Sequence, residues 1–150
     1  CIRIGGLLEV TKSTNFLSLA LRKFLLGEPV TITNSDRLYN NFISREEVFQ
    51  FVSGLPLSEA FDIVHLGAEP EMKLGEIIGF MKKHSCSDSP VLYSDEKTPF
   101  FNLDIEKAKK KYGFRPKPTR ETIEQWVAEV KNLKTSSFSF VVENSTGPCS

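Results

Sequence analysis

Histidine and cysteine are scarce in this chain, net charge is zero and long apolar runs are missing, and each shortage closes off a class of function. Only His65 and His84 are present. Two are too few for a histidine-built site, and no carboxylate cluster has metal-ligand spacing, so no metal is expected. Cys1, Cys86 and Cys149 are odd in number and far apart. They fit neither a disulfide framework nor a paired-cysteine metal knuckle, which leaves a reducing, cytoplasmic setting as the default. With 19 basic residues against 19 acidic ones, no global field draws the protein to nucleic acid or to an anionic membrane. No apolar stretch approaches the roughly 20 residues that span a bilayer, and the N-terminus lacks a basic segment followed by an apolar one. A soluble protein with neither a membrane nor a nucleic-acid partner is expected.

What is present suits one ordinary domain: 150 residues, 40% of them hydrophobic, enough for a core. Ile2, Arg3 and Ile4 form a β-prone run ended by Gly5 and Gly6, after which Ser13 or Thr14 can cap a helix. In that helix Phe16, Leu17, Ala20, Leu21, Phe24 and Leu25 recur at three and four, and Gly27 stops it. Residues 30–32 read as a strand, 34–36 as a turn and 38–43 as another extended piece. Ser44 followed by Glu47 has capping-box spacing and opens a helix that buries Val48, Phe51 and Val52. A strand over 61–66, a helix over 73–84 and a short strand over 91–93 follow. Thr119 then caps the longest amphipathic element, striped by Ile123, Trp126, Val127, Val130 and Leu133. Residues 135–150 read as a tail, with 138–142 either an edge strand or disordered. Alternating strands and helices predict an α/β or α+β layer structure over residues 1–134.

Residues 101–116 (FNLDIEKAKKKYGFRP) are the most informative segment. Asp104 offers an acceptor to a first helical turn, Gly113 suits the left-handed conformation that ends a helix, and Pro116 blocks resumption. Ala108 and Tyr112 lie four apart and can face a core together, and Lys107, Lys109, Lys110 and Lys111 read as a solvated basic face. The segment resembles the LDxxKAxxxLGFxP signature of the extended short-chain dehydrogenase/reductase family, the NAD-dependent nucleotide-sugar epimerases and dehydratases. Three more segments agree in order. Arg3-Ile4-Gly5-Gly6 is similar to the family's LRxxNxYG strand, residues 24–42 to its xxxGxPxxIxGxGxRxxxFI stretch, and His65-Leu66-Gly67-Ala68 with residues 74–78 to its yNxGxxxxxSxxElaxxi segment.

The resemblance implies an α/β fold, the C-terminal substrate-binding part of a Rossmann-type enzyme, with NAD or NADP bound by an N-terminal half that this chain lacks. No GxxGxxG turn is present to cradle a cofactor pyrophosphate. Because Cys1 stands where the family pattern is mid-strand, a piece of a longer protein, inactive alone, is expected. Tyr93 and Lys97 satisfy Tyr-xxx-Lys literally, but a Pro90-led strand surrounds them where the family's pair lies on a helix, so no catalytic residue is assigned. The resemblance implies two substrate-binding residues. Arg37 matches the family arginine that reaches the sugar-nucleotide diphosphate, for which a guanidinium fork is suited. Lys97 lies near a second, phosphate-facing arginine of the family. At the lobe entry, Gly6-Leu7-Leu8-Glu9-Val10 replaces Asn-x-Tyr-Gly-Pro, and Glu47 replaces an aspartate. The first departure motivates an alternative, a degenerate ligand-binding or regulatory module without catalysis. A third reading takes the lysine run as a nucleic-acid patch, and neutral net charge counts against it. Asp104 and Glu106 read as cap and solvated group, and Trp126 as core.

Overall fold

The computed structural model describes residues 1–10, 15–56, 61–96 and 98–143. Its elements run β1 (Ile2–Ile4), β2 (Gly6–Leu8), α1 (Phe16–Leu26), β3 (Val30–Ile32), β4 (Leu38–Tyr39), β5 (Phe42–Ser44), α2 (Arg45–Ser53), β6 (Val64–Leu66), β7 (Met72–Lys73), α3 (Leu74–Ser85), β8 (Val91–Tyr93), α4 (Glu106–Tyr112) and α5 (Thr119–Glu143). The architecture is α/β. Three of the strand pairs, β1 with β6, β2 with β5 and β3 with β8, are parallel, and β4 with β7 is antiparallel. Parallel pairing needs a crossover, and a helix lies between the two strands of each parallel pair. Among the described residues no helix is long and apolar enough to cross a membrane.

Two apolar clusters form the core. The larger gathers Leu17, Leu21 and Phe24 of α1, Ile77, Ile78 and Met81 of α3, and Ile123, Trp126 and Val127 of α5. The smaller joins Phe51 of α2, Val64 and Leu66 of β6, Ala108 of α4 and Phe114. Trp126 is core, as expected, and its indole N–H donates to the Glu9 carbonyl at 3.0 Å. Gly27 and Gly113 end their helices with left-handed φ values of 74° and 67°. The capping box forms as read: Ser44 Oγ accepts from Glu47 N–H, and the Glu47 carboxylate accepts from Ser44 N–H at 3.0 Å. Glu47 also accepts from Lys117 N–H at 2.9 Å, so the buried carboxylate ties α2 to the approach of α5.

Several local expectations change. The chain does not end its extended run at Gly5-Gly6 but re-enters a strand, β2, and the stretch 38–43 breaks at Asn40 into β4 and β5. The strand over 61–66 begins only at Val64, with Phe61 82% exposed. Asn15 caps α1, accepting from Ser18 N–H at 3.0 Å, while Ser13 and Thr14 lie outside the described residues. Asp104 accepts from Glu106 N–H at 3.0 Å, but Ile105 holds the cap position, so α4 starts one residue late. Thr119 opens α5, yet its hydroxyl donates to the Pro70 carbonyl at 2.6 Å. Phe16, Val52 and Leu133 are exposed rather than core. The backbone of 138–142 is helical rather than an edge strand, because no Gly or Pro interrupts α5 from Thr119 to Glu143 and each added residue gains a hydrogen bond.

The lysine run of α4 is paired, not merely solvated. Lys107 and Lys111 both bind the Asp62 carboxylate, Lys109 binds Glu69 at 2.5 Å and Glu106 at 3.1 Å, and Lys110 binds Glu106 at 3.0 Å. Asp62 also accepts from Tyr112 OH at 2.6 Å and from Ile63 N–H at 2.8 Å. Donors from Lys107, Lys111 and Tyr112 hold its carboxyl far below the usual aspartate range. This hub pins α4 to the start of β6.

Two glycines let backbones meet at the other end of β1 and β6. A Cβ on Gly5 would lie 2.6 Å from the Asn41 carbonyl oxygen, and one on Gly67 would lie 2.6 Å from that of Asn40. Contact with backbone cannot relax by rotating a side chain. Gly67→Ala therefore destabilises the fold by about 1–3 kcal/mol in urea unfolding, whereas Gly79→Ala, in α3 with nothing within 4 Å, stabilises it by roughly 0.5–1 kcal/mol. Asp62→Asn lowers the unfolding midpoint at pH 7. Because the folded carboxyl is depressed, its contribution is complete above the unfolded value near ~3.9 and fades as pH falls toward the folded value. The difference between wild type and Asp62→Asn should accordingly shrink below about pH 4 in thermal melts.

Candidate functional site

Parallel strands of an α/β fold bind ligands beyond their carboxyl ends, and in this chain β1 and β6 end side by side at Ile4 and Leu66. The next residues are the two glycines, and Asn40 and Asn41 sit against them. Gly6 N–H donates to the Asn41 carbonyl at 2.9 Å and Ala68 N–H to the Asn40 carbonyl at 3.0 Å, so the dipeptide bridges both strand ends.

From there the asparagine side chains reach a strap formed by residues 98–103. Asn40 bonds both backbone groups of Leu103, donating to its carbonyl at 2.8 Å and accepting from its N–H at 2.9 Å. Asn41 donates to the Phe101 carbonyl at 2.5 Å. At the far end Asn34, in a left-handed turn with φ 52°, donates to the Thr98 carbonyl and hydroxyl at 3.1 and 2.9 Å. Thr33 and Thr98 hydroxyls share a 3.1 Å bond, and Asn102 donates to Glu71 at 3.2 Å. Phe100 lies 5.9 Å from the Tyr39 ring, and burial pushes the Tyr39 phenol up from its ordinary value.

Arg37 stands on this rim. Its backbone is fixed at both groups, N–H to the Asn34 carbonyl at 3.0 Å and carbonyl from Leu74 N–H at 2.9 Å. Its side chain is exposed and has no ion-pair or hydrogen-bond partner among the described residues, Asp36 included. A guanidinium held by its backbone and free at its head is available to an anion. Lys97 lies outside the described residues. Its neighbour Thr98 is the residue bonded to Asn34 and Thr33, so the strap begins beside the Arg37 turn.

Other residues singled out from sequence do not join the site. Tyr93 belongs to strand β8 and is 69% exposed, so the helical geometry of a Tyr-xxx-Lys pair is not formed there. Asp104 caps, and Glu106 is engaged by Lys109 and Lys110. At the lobe entry, a Cβ on Gly6 would lie 3.2 Å from Asn15 Cβ, so Asn15 crowds the place a side chain would take. The Asn15 amide donates to the Leu7 carbonyl at 2.7 Å and its oxygen accepts from Ser18 N–H. Two of the open surface clefts lie elsewhere, one beside Phe51, Tyr112 and Phe114 and another beside His84, Glu124 and Lys131. Sequence reading missed Asn40 and Asn41. Their only signal was polarity inside an otherwise β-prone run, which ordinarily marks a turn.

No protein-family model and no curated protein sequence matches the chain. Solved structures do. A UDP-glucose 4-epimerase from Thermotoga maritima, solved with UDP-glucose, superposes with a TM-score of 0.70 at 17% identity, covering 89% of this chain and 46% of that one. A UDP-glucuronic acid 4-epimerase from Bacillus cereus, in complex with NAD, gives 0.69 at 14% identity over 88% and 44%. An epimerase from Methanothermobacter thermautotrophicus gives 0.68 at 18% identity over 91% and 45%. The chain thus spans a little under half the length of these structures. Its fold is that of one part of these epimerase structures.

Proposed function

We propose that this chain is the C-terminal, substrate-side part of an NAD(P)-dependent epimerase/dehydratase-like protein that takes a nucleotide sugar. The observation that carries the reading is Arg37, backbone-fixed and unpaired at the carboxyl-end rim of a fold shared with nucleotide-sugar epimerases. Its guanidinium grips the diphosphate through two N–H donors, and Lys97 adds a second positive charge. Neither residue carries protons or hydride. Those roles belong to a nucleotide-binding half, so the chain alone does not turn over.

NAD does not fit this chain's own residues. The only adjacent glycines, Gly5 and Gly6, are committed to close contact with Asn41 and Asn15, and the N-terminus of α1 is closed by its asparagine cap. No glycine-rich turn is therefore left to cradle a pyrophosphate among the described residues. When bound by the other half, NAD or NADP supplies the hydride acceptor. The outer edge of β1 supports docking of that half: β1 pairs only with β6 among the described residues, and Ile4 is 38% exposed on it. Parallel strands are ordinarily covered and continued on both sides. A cytoplasmic setting belongs to the same reading.

A non-catalytic ligand-binding module of this fold is the second reading, favoured by the crowding of Gly6 by Asn15. Calorimetry on the 150-residue chain tests the first. UDP-glucose binds and NAD gives no binding heat; Arg37→Ala weakens UDP-glucose about tenfold, ~1.4 kcal/mol, and Arg37→Lys recovers only part of that. Tight NAD binding, or UDP-glucose affinity indifferent to Arg37, would sink the assignment.

A further inference from the structure

Asn41 is 9% exposed, and its side-chain oxygen is buried without a hydrogen-bond partner. Its nitrogen is committed to the Phe101 carbonyl. Buried acceptors are nearly always satisfied, so a lone one at the carboxyl end of a parallel strand pair marks the place of a missing donor.

The strap beside it is tied to the fold by side chains alone. Among the described residues, no backbone-to-backbone hydrogen bond ties residues 98–103 to the rest of the fold. Every polar bond to it runs through a side chain: Thr33, Asn34, Asn40 and Asn41 on the fold, and Asn102 of the strap reaching Glu71. Lifting residues 100–102 breaks no strand pairing and exposes no ladder. Phe101 is 64% exposed and adds little apolar burial, while Phe100 on Tyr39 and Leu103 on the smaller core cluster seat the strap.

We propose that Asn41 supplies the hydrogen-bond acceptor for a hydroxyl of the ligand's sugar, and that the strap over residues 98–103 is the cover whose displacement admits it. The inference rests on the nucleotide-sugar reading above and adds which group is recognised. An amide oxygen accepts but cannot donate. A phosphate, which offers only acceptors at neutral pH, is therefore excluded as its partner, and a hydroxyl is matched. Asn40 stays bonded to Leu103 throughout and acts as the strap's hinge anchor. Arg37 and Asn41, four residues apart on one segment, then divide the ligand between diphosphate and sugar.

The test compares UDP-glucose with UDP on the 150-residue chain. Wild type binds UDP-glucose at least fivefold more tightly than UDP, and Asn41→Ala abolishes that preference while leaving UDP affinity unchanged. Hydrogen exchange on wild type, which needs no variant to fold, shows altered protection of the 100–102 amides with UDP-glucose and none with UDP, while the Leu103 amide is unchanged. An Asn41→Ala loss equal for both ligands would assign the acceptor to the base and overturn the proposal. So would a preference that survives the substitution, or strap exchange indifferent to the sugar. If wild type binds both ligands equally, this inference alone falls; if it binds neither, the nucleotide-sugar reading falls with it.

Discussion

The side-chain amide of Asn40 completes both backbone groups of Leu103, at 2.8 and 2.9 Å, and the carboxyl end of the β1–β6 pair depends on those two bonds. They let an irregular segment lie against the fold without a strand partner, satisfying groups that would otherwise cost free energy on burial. The contact in turn needs Gly67, because only a residue without Cβ lets the Asn40 carbonyl approach so closely. Gly5 and Asn41 repeat the arrangement one residue on. The strap's other end is tied to Asn34, in the turn that also fixes the Arg37 backbone.

Charge is organised at the opposite end by the same economy. Neutral net composition conceals a concentrated basic helix, and Asp62, Glu69 and Glu106 neutralise it within the fold. An isolated exposed ion pair contributes little, but a carboxylate receiving two lysines and a tyrosine forms a network that fixes α4 against β6. Lysines so engaged are poorly placed to read a nucleic-acid backbone. Arg37, at the other end of the strands, is exposed and has no ion-pair partner among the described residues.

Much of this was legible in the sequence where the signal was local. Helix periodicity placed α1, α3 and α5, the Ser44–Glu47 spacing gave the capping box, and Gly27 and Gly113 marked helix ends through their need for positive φ. Arg37 was singled out because a motif carried it. What escaped depends on contacts distant in sequence: Asp62 meets residues 45 or more positions away, and Asn40 meets Leu103 at a separation of 63. No window of neighbouring residues reports such a pairing. The break at Asn40 was missed because β-propensity runs high on both sides, and tertiary hydrogen bonding overrode it. The Thr119 cap failed for a related reason, since a hydroxyl free in the local sequence was claimed by the Pro70 carbonyl.

On the proposed reading, ligand chemistry is concentrated where the Arg37 turn and the strap meet, not in the clefts beside His84 or Phe51. Mapping amide chemical-shift changes across the 150-residue chain as UDP-glucose is added tests it most directly. The largest changes are expected within residues 33–41 and 98–103. Changes centred instead on His84, Glu124 and Lys131, or on Phe51, Tyr112 and Phe114, would contradict it.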